Sequence, residues 1–260
     1  MCELFAVSAI NKIRVNSLLE EFFSHSDEHP SGWGMAVLDG KESKWTDIEK
    51  EDIKASDSSY LKKKMEDEIV SGNMIAHIRR ATIGSISPSN NHPFMRYDIS
   101  GRRWILAHNG TIFHSEKLDV YREEQEGTTD SERILLYIVD RINRQSAKYR
   151  RALTFEERFA ILDQIAVELS EGNKLNLIIY DGEYYYIHMN QEETLHVKKG
   201  SGSAVIATTP LDSEKWEEIP LNQLQVYRNG EVIRTGTQHA HTYIYEEEQY
   251  RDLFMAYADL

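Results

Sequence analysis

Apolar positions come first in short continuous runs, then at helical spacing, and finally in alternation. Residues 4–10 (Leu-Phe-Ala-Val-Ser-Ala-Ile) contain β-branched and aromatic members and predict a buried strand. Over 14–25, Val15, Leu18, Leu19, Phe22 and Phe23 recur at helical intervals. Pro30-Ser31-Gly32-Trp33-Gly34 is turn chemistry leading into a strand at 35–38, closed by Asp39-Gly40. Residues 41–71 are highly charged, and 61–70 within them suits a helix with a solvated face. Runs at 74–78 and 104–107 read as buried strands. The segment 131–146 reads as a helix opened by Thr128-Thr129-Asp130-Ser131, and 155–170 as a second one with Thr154 and Glu157 set as a capping box.

The last third switches to period two. Residues 176–180 and 183–188 flank Asp181-Gly182, and 225–228 and 231–234 flank Asn229-Gly230; both are hairpin signals. Residues 204–208 add a strand, and 245–260 reads as a peripheral acidic helix. Strands, then two central helices, then more strands predict an α+β fold of antiparallel sheets covered by helices. Without a Pro/Gly/Ser-rich linker, a repeat or a low-complexity stretch, residues 1–260 are expected to form one domain.

Charge narrows the possible partners. The 260 residues carry 30 Lys and Arg against 43 Asp and Glu, a formal net charge of −13. An acidic surface disfavours nucleic acid and anionic membranes, so neither is expected as a partner. No apolar run approaches the roughly 20 residues of a membrane span, and the start lacks the layout of a secretory signal; a cytoplasmic location is expected. The one cysteine excludes an intrachain disulfide, a four-cysteine zinc site and an iron–sulfur cluster.

That cysteine is Cys2, at the mouth of the first strand. Removal of Met1 would give it a thiol and a free α-amine, with ordinary pKa values of about 8.5 and about 7.7–8.0. A nucleophile and its base then share one residue; the plain alternative is a small buried hydrophobe. In Ile75-Ala76-His77-Ile78-Arg79-Arg80-Ala81-Thr82-Ile83-Gly84, the two arginines of an extended chain point to opposite faces. One can be solvated while the other faces a pocket, where a guanidinium suits a carboxylate. His108-Asn109-Gly110 ends an apolar run and reads either as a hairpin turn or as an oxyanion hole made of an amide side chain and a backbone N–H. Asp130 reads either as a helix N-cap or as a partner for a ligand ammonium. His239 and His241 lie two apart on an expected strand; no third metal ligand is evident, so they are read as surface histidines, and neither a metal nor a cofactor is expected.

Taken in order, Cys2, the Ala-His-x-Arg-x-Ala-Thr pattern of 76–82, Asn91-His92-Pro93, His108-Asn109-Gly110 and Thr129-Asp130-Ser131-Glu132 resemble the glutaminase domain of class II glutamine amidotransferases, which are N-terminal-nucleophile hydrolases. The resemblance covers roughly residues 2–210. Met1-Cys2-Glu3-Leu4 and Ser31-Gly32-Trp33-Gly34 are closer to the stand-alone bacterial branch than to the glucosamine-6-phosphate or phosphoribosylamine synthases. The resemblance implies a four-layer αββα sandwich. It implies Cys2 as nucleophile with its α-amine as base, Asn109 and Gly110 as oxyanion hole, Arg79 for the substrate α-carboxylate, Asp130 for the α-ammonium and Thr82 in support. Trp33 and His92 match the pattern as structural or pocket-lining residues. Arg80 replaces the Trp, and Ile83 the His, that the synthases commonly carry beside the binding loop.

The expected reaction is attack on the γ-amide of glutamine through a γ-glutamyl thioester, with ammonia passing to a separate acceptor protein because no synthetase domain lies in these residues. A stand-alone hydrolase of γ-glutamyl peptides or conjugates is the alternative, and a non-catalytic regulatory subunit retaining the pocket is a third.

Overall fold

A computed structural model describes residues 2–39, 48–82, 84–113 and 115–258. Met1, Gly40, residues 41–47 of the charged stretch, Ile83, His114 and the last two residues of the expected C-terminal helix lie outside them. The chain opens with β1 (Glu3–Arg14), α1 (Asn16–Ser24), β2 (Trp33–Val37), β3 (Ile48–Glu51), α2 (Ser59–Glu66) and β4 (Val70–Ile78). There follow β5 (Phe94–Tyr97), β6 (Arg103–Thr111), the short α3 (Glu116–Asp119) and the long helices α4 (Asp130–Tyr149) and α5 (Phe155–Ser170). The last part holds β7 (Lys174–Tyr180), β8 (Tyr185–His188), β9 (His196–Gly200), β10 (Ser203–Ala207), β11 (Glu217–Glu218), β12 (Gln225–Arg228), β13 (Glu231–Thr235) and α6 (Glu247–Ala258).

The strands pair antiparallel in two sheets, one ordered β11-β9-β10-β1-β4-β2-β3 and the other β13-β12-β8-β7-β6-β5. Strand alternation divides the apolar residues among three cores. Leu4 and Ala6 of β1, Ile75 of β4, Ile105 and Ala107 of β6 and Ile178 of β7 meet between the sheets. Phe5, Val7 and Met74 face outward beneath Leu19, Phe22 and Phe23 of α1. Leu106, Leu177 and Ile179 face the other way, against Ile134 and Ile138 of α4 and Leu162 and Ile165 of α5. The result is helix, sheet, sheet, helix: an α+β sandwich of four layers, as expected. Because both faces of β1 and β7 are covered, these strands read as continuous apolar runs and not as alternation.

Local signals held where local chemistry decides. Thr154 and Glu157 form the capping box of α5. Asn229 and Gly230 both take positive φ (54° and 82°) in the β12–β13 hairpin, as a two-residue turn of this type requires. The region 61–70 divides: α2 ends at Glu66, and β4 starts at Val70. β5 is only four residues long and β9 holds a single apolar residue, Val197, so neither announces itself. The C-terminal helix is present, but it is not merely peripheral: Tyr250 is buried, its ring edge-to-face with Phe113 at 5.2 Å between centroids and its hydroxyl bonded to Thr111. His239 and His241 lie outside any strand, and His239 meets a third histidine, His188, with Nε2 atoms 3.0 Å apart. Among the described residues no group of three or more His, Cys, Asp or Glu is arranged to hold a metal ion.

At the β7–β8 turn the Asp181 carboxylate, fully buried, accepts from the backbone N–H groups of Glu183 and Tyr184, from the Tyr186 hydroxyl and from Arg158 Nε at 2.8 Å. Asp181→Ala removes the close partner of the buried Arg158 charge and leaves it only Glu183, at 3.9 Å, among the described residues, and the expected loss is about 3–5 kcal/mol of stability, read as a lower urea midpoint with an unchanged m-value.

Candidate active site

The layer between the sheets changes character at one end. Four of the strands that line it with apolar side chains continue the same parity into polar ones: Leu4 to Cys2 at β1's leading end, Ile75 to His77 and then Arg79 just past β4, Ala107 to Asn109 and Thr111 on β6, and Ile178 back to Asn176 and Lys174 on β7. Registers align these ends. Glu3 lies opposite Ile78, which sets Cys2 beside Arg79; Asn109 lies opposite Asn176 and Thr111 opposite Lys174.

Cys2 is partly buried, and its Sγ–H reaches the Arg80 carbonyl at 3.5 Å. Burial pushes the thiol up, while that hydrogen bond and the charges of Arg79 and Lys174 work against the rise. Arg79 is buried, as the alternation of the two arginines allowed, and Arg80 is exposed. The Arg79 guanidinium donates to the Ser85 carbonyl at 2.9 Å and the Gly84 carbonyl at 3.4 Å, holding the loop that leaves β4; burial lowers its pKa, opposed by Cys2 and Asp130. Thr82 stands in that loop, partly buried and with no side-chain hydrogen bond among the described residues.

Asn109 and Gly110 do not turn. Neither has a positive φ, and β6 runs through both because β7 offers ladder partners in Asn176 and Leu175. The hairpin reading of this dipeptide is thereby corrected. The Asn109 side chain is buried on the inter-sheet face and has no hydrogen-bond partner among the described residues. A Cβ on Gly110 would lie 2.0 Å from the Lys174 carbonyl and 2.4 Å from His108 Nε2, so only glycine fits there.

Asp130 is not the N-cap: Thr129 is, with its hydroxyl accepting from Glu132 N–H. The Asp130 carboxylate accepts from Ile112 N–H at 2.7 Å and from Ser131 N–H at 2.8 Å, tying α4 to the end of β6. A carboxylate offers about four lone-pair sites, so capacity remains for an ammonium. His108 Nε2 donates to the Lys174 carbonyl at 3.3 Å, because a carbonyl can only accept; Nδ1 then takes the Ser131 hydroxyl at 2.9 Å.

His92 stands against the site, its ring centroid 4.1 Å from that of His77 and 4.7 Å from Phe94. Burial holds both histidines neutral, well below the ordinary value, with Arg79 adding to the effect. Asn90 bridges Ser85 and Thr128, and Asn91 donates to the Glu51 carbonyl, so this loop ties the Arg79 loop to the Asp130 loop. Trp33 is placed elsewhere. It faces α1 on the outer side of its sheet, 5.9 Å from Phe23 with Nε1–H on Glu51, and shares no layer with Cys2. Its parity on β2 decides this: Gly34 and Ala36 take the inner face.

Sequence reasoning passed over Lys174. It is fully buried, and its pKa is pushed down to about 8 by burial, with Cys2 the charge that opposes the fall. The available signal was a lysine on the inward parity of a strand that is otherwise apolar, followed two residues later by Asn176.

The chain belongs to the class-II glutamine amidotransferases, whose family profile matches residues 1–201. An uncharacterised protein of Methanocaldococcus jannaschii is 29% identical over 261 residues, covering 90% of this chain and 71% of its own length. Among solved structures, a Pseudomonas aeruginosa protein described as a "predicted glutamine amidotransferase" superposes with a TM-score of 0.60 at 20% identity, over 90% of this chain and all of that one. Glutamine phosphoribosylpyrophosphate amidotransferase from B. subtilis gives 0.64 at 15% identity over 92% of this chain, which spans 49% of that longer protein. The shared architecture is the N-terminal-nucleophile hydrolase fold.

Beside Cys2, Glu3 accepts from His25 Nδ1 at 2.9 Å, and Glu21 lies 3.4 Å from Nε2. Burial lowers the His25 pKa, but the hydrogen bonds and charges of Glu3 and Glu21 outweigh it, and the net shift is upward. The stabilisation is therefore complete below the unfolded value of about 6.5 and is lost as pH rises through the folded value. Urea midpoints measured across this range are expected to fall with rising pH in the wild type, and to lose that part of the slope in His25→Gln.

Proposed function

We propose that the protein cleaves the γ-amide of glutamine through a γ-glutamyl thioester on Cys2, releasing glutamate and ammonia. Removal of Met1 frees the α-amine, which takes the thiol proton as sulfur attacks the γ-carbonyl and returns it to the leaving ammonia. Water, deprotonated by the same amine, then hydrolyses the thioester. Asn109 Nδ2 and the Gly110 N–H stabilise the oxyanion, Arg79 binds the α-carboxylate, Asp130 the α-ammonium, and Thr82 supports the substrate beside the Arg79 loop. His92 backs the pocket through His77.

The observation that carries this reading is the convergence at one end of the inter-sheet layer: Cys2 on the Arg80 carbonyl, with Arg79 and Asp130 interacting with each other and Arg79 with Cys2. One buried cation and one buried anion match the two charges of an amino-acid head group, and clamping both places the γ-carbonyl. The family's chemistry supports glutamine as substrate and a separate ammonia acceptor as partner.

Intact mass spectrometry before and after a glutamine-mimicking thiol electrophile tests it. Loss of Met1 with one adduct, protected by glutamine and absent in Cys2→Ala, is the expected result. A retained Met1, or an unlabelled Cys2 in folded protein, overturns catalysis and leaves a regulatory subunit. Asn109→Ala is expected to lower kcat about 100- to 1,000-fold with little change in KM. Ammonia release from glutamine set against glutamate release from γ-glutamyl dipeptides decides between the amidase and a γ-glutamyl conjugate hydrolase.

A further inference from the structure

We infer that Tyr250 of α6 is a positioning residue for the substrate amine: from the C-terminal segment it clamps the three residues that leave β6, and through the middle one it holds the Asp130 carboxylate in place. This rests on the proposed pairing of Asp130 with the substrate α-ammonium.

A clamp is needed because of where the sheet stops. The β6–β7 ladder ends at Thr111, opposite Lys174. Asp130 Oδ2 is attached one residue further on, to the Ile112 N–H at 2.7 Å, and Ile112 lies outside any strand. The other carboxylate oxygen takes the Ser131 N–H at 2.8 Å and the Ser131 hydroxyl at 3.2 Å, both from its own helix. The Ile112 peptide therefore sets the carboxylate relative to the sheets, and hence relative to Asn109 and Gly110 on the same strand. A charge-assisted contact depends on distance and direction, so a shift of that peptide re-aims the group proposed to receive the ammonium.

What steadies the peptide comes from distant parts of the chain. Phe113 N–H donates to Asn173 Oδ1 at 2.7 Å. The Phe113 ring stacks on Tyr243 at 6.0 Å and meets Tyr250 edge-on at 5.2 Å between centroids, while the Tyr250 hydroxyl meets Thr111. Tyr250 thus touches the residues on both sides of Ile112, with its apolar ring on one and its polar tip on the other, a pairing of contacts that suits tyrosine. The segment that carries it is itself anchored. Tyr243 N–H donates to the Asn190 carbonyl at 2.7 Å, Asn190 Nδ2 donates to the His241 carbonyl at 3.1 Å, and Asn190 Oδ1 accepts from Leu175 N–H of β7 at 2.7 Å. Tyr245 stacks on Tyr250 at 5.2 Å, and Tyr243 and Tyr250 are both buried. All of this lies beyond residue 201, where the match to the family profile ends.

The test compares ammonia release from L-glutamine and from glutaramic acid, which is glutamine without its α-amino group, by the full-length processed protein. In Tyr250→Ala the kcat/KM for glutamine relative to that for glutaramic acid is expected to fall about 10- to 100-fold, with the loss carried by KM for glutamine. Tyr250→Phe keeps the ring on Phe113 and drops the hydroxyl from Thr111, and a smaller fall of the same kind is expected. Thermal melts establish that each variant folds, and Tyr250→Leu replaces the Ala variant if that one does not. Where glutaramic acid turns over too slowly, protection of Cys2 against iodoacetamide by L-glutamate and by glutarate gives the same comparison. A folded Ala or Leu variant that loses both substrates equally, or neither, overturns the inference and leaves Tyr250 a structural residue. Failure of the underlying reading looks different: Asp130→Asn then also leaves the ratio at its wild-type value, or wild-type Cys2 gives no glutamine-protected adduct.

Discussion

The structure depends on the first strand of the chain being the central strand of its sheet. β1 is hydrogen-bonded to β10 on one side and β4 on the other, and its residues 4–7 are fully buried on both faces. Chain termini ordinarily fray. Here the backbone leading to Cys2 is held on two edges and two faces, and the Leu4 N–H is tied to the Thr208 hydroxyl and the Leu4 carbonyl to Thr208 N–H. A thiol one residue outside that strand has little freedom to wander, which suits the nucleophilic role proposed for it.

The second constraint is electrostatic. A layer closed between two sheets excludes water, so every charge placed in it must be answered inside it. The solution is uneven: Ile75, Ile105, Ala107 and Ile178 fill the middle, while Arg79, Lys174, Asp130 and the neutral histidines collect at one end. Among the described residues the charges of Arg79 and Lys174 act on the Cys2 thiol from this end, and Asp130 acts on Arg79. The overall acidity of the chain says nothing of this, because net charge is a property of the surface and the site is a local inversion of it.

The loops around this end are braced rather than loose. Asn90 reaches both the Arg79 loop and Thr128, Asn91 reaches β3, and Gly34 lets the His92 carbonyl lie directly on β2, where a Cβ would meet it at 2.0 Å. The Asn-His-Pro segment is thus chiefly a strut that fixes the distance between the proposed carboxylate-binding and ammonium-binding residues, with His92 alone turned to the site side.

By itself the sequence determined what short-range chemistry determines. The capping box of α5, the Asn229-Gly230 hairpin, the buried runs at 4–10 and 74–78 and the helices over Asp130–Tyr149 and Phe155–Ser170 follow from residues within a few positions of one another. The ordered motifs from Cys2 to Asp130 singled out the residues proposed for the site, and the fold places Cys2, Arg79, Asn109, Gly110 and Asp130 at one end of the two sheets. Tertiary structure alone decided the rest. Asn109-Gly110 stays extended because β7 provides a ladder to continue, and Trp33 turns away from the site because pairing with β4 fixes which face of β2 looks inward. Lys174 pairs with Thr111, and His239 finds His188, through contacts between residues far apart in the chain. In each case the residue types permit two outcomes of similar local free energy, and a partner strand distant in sequence selects one of them.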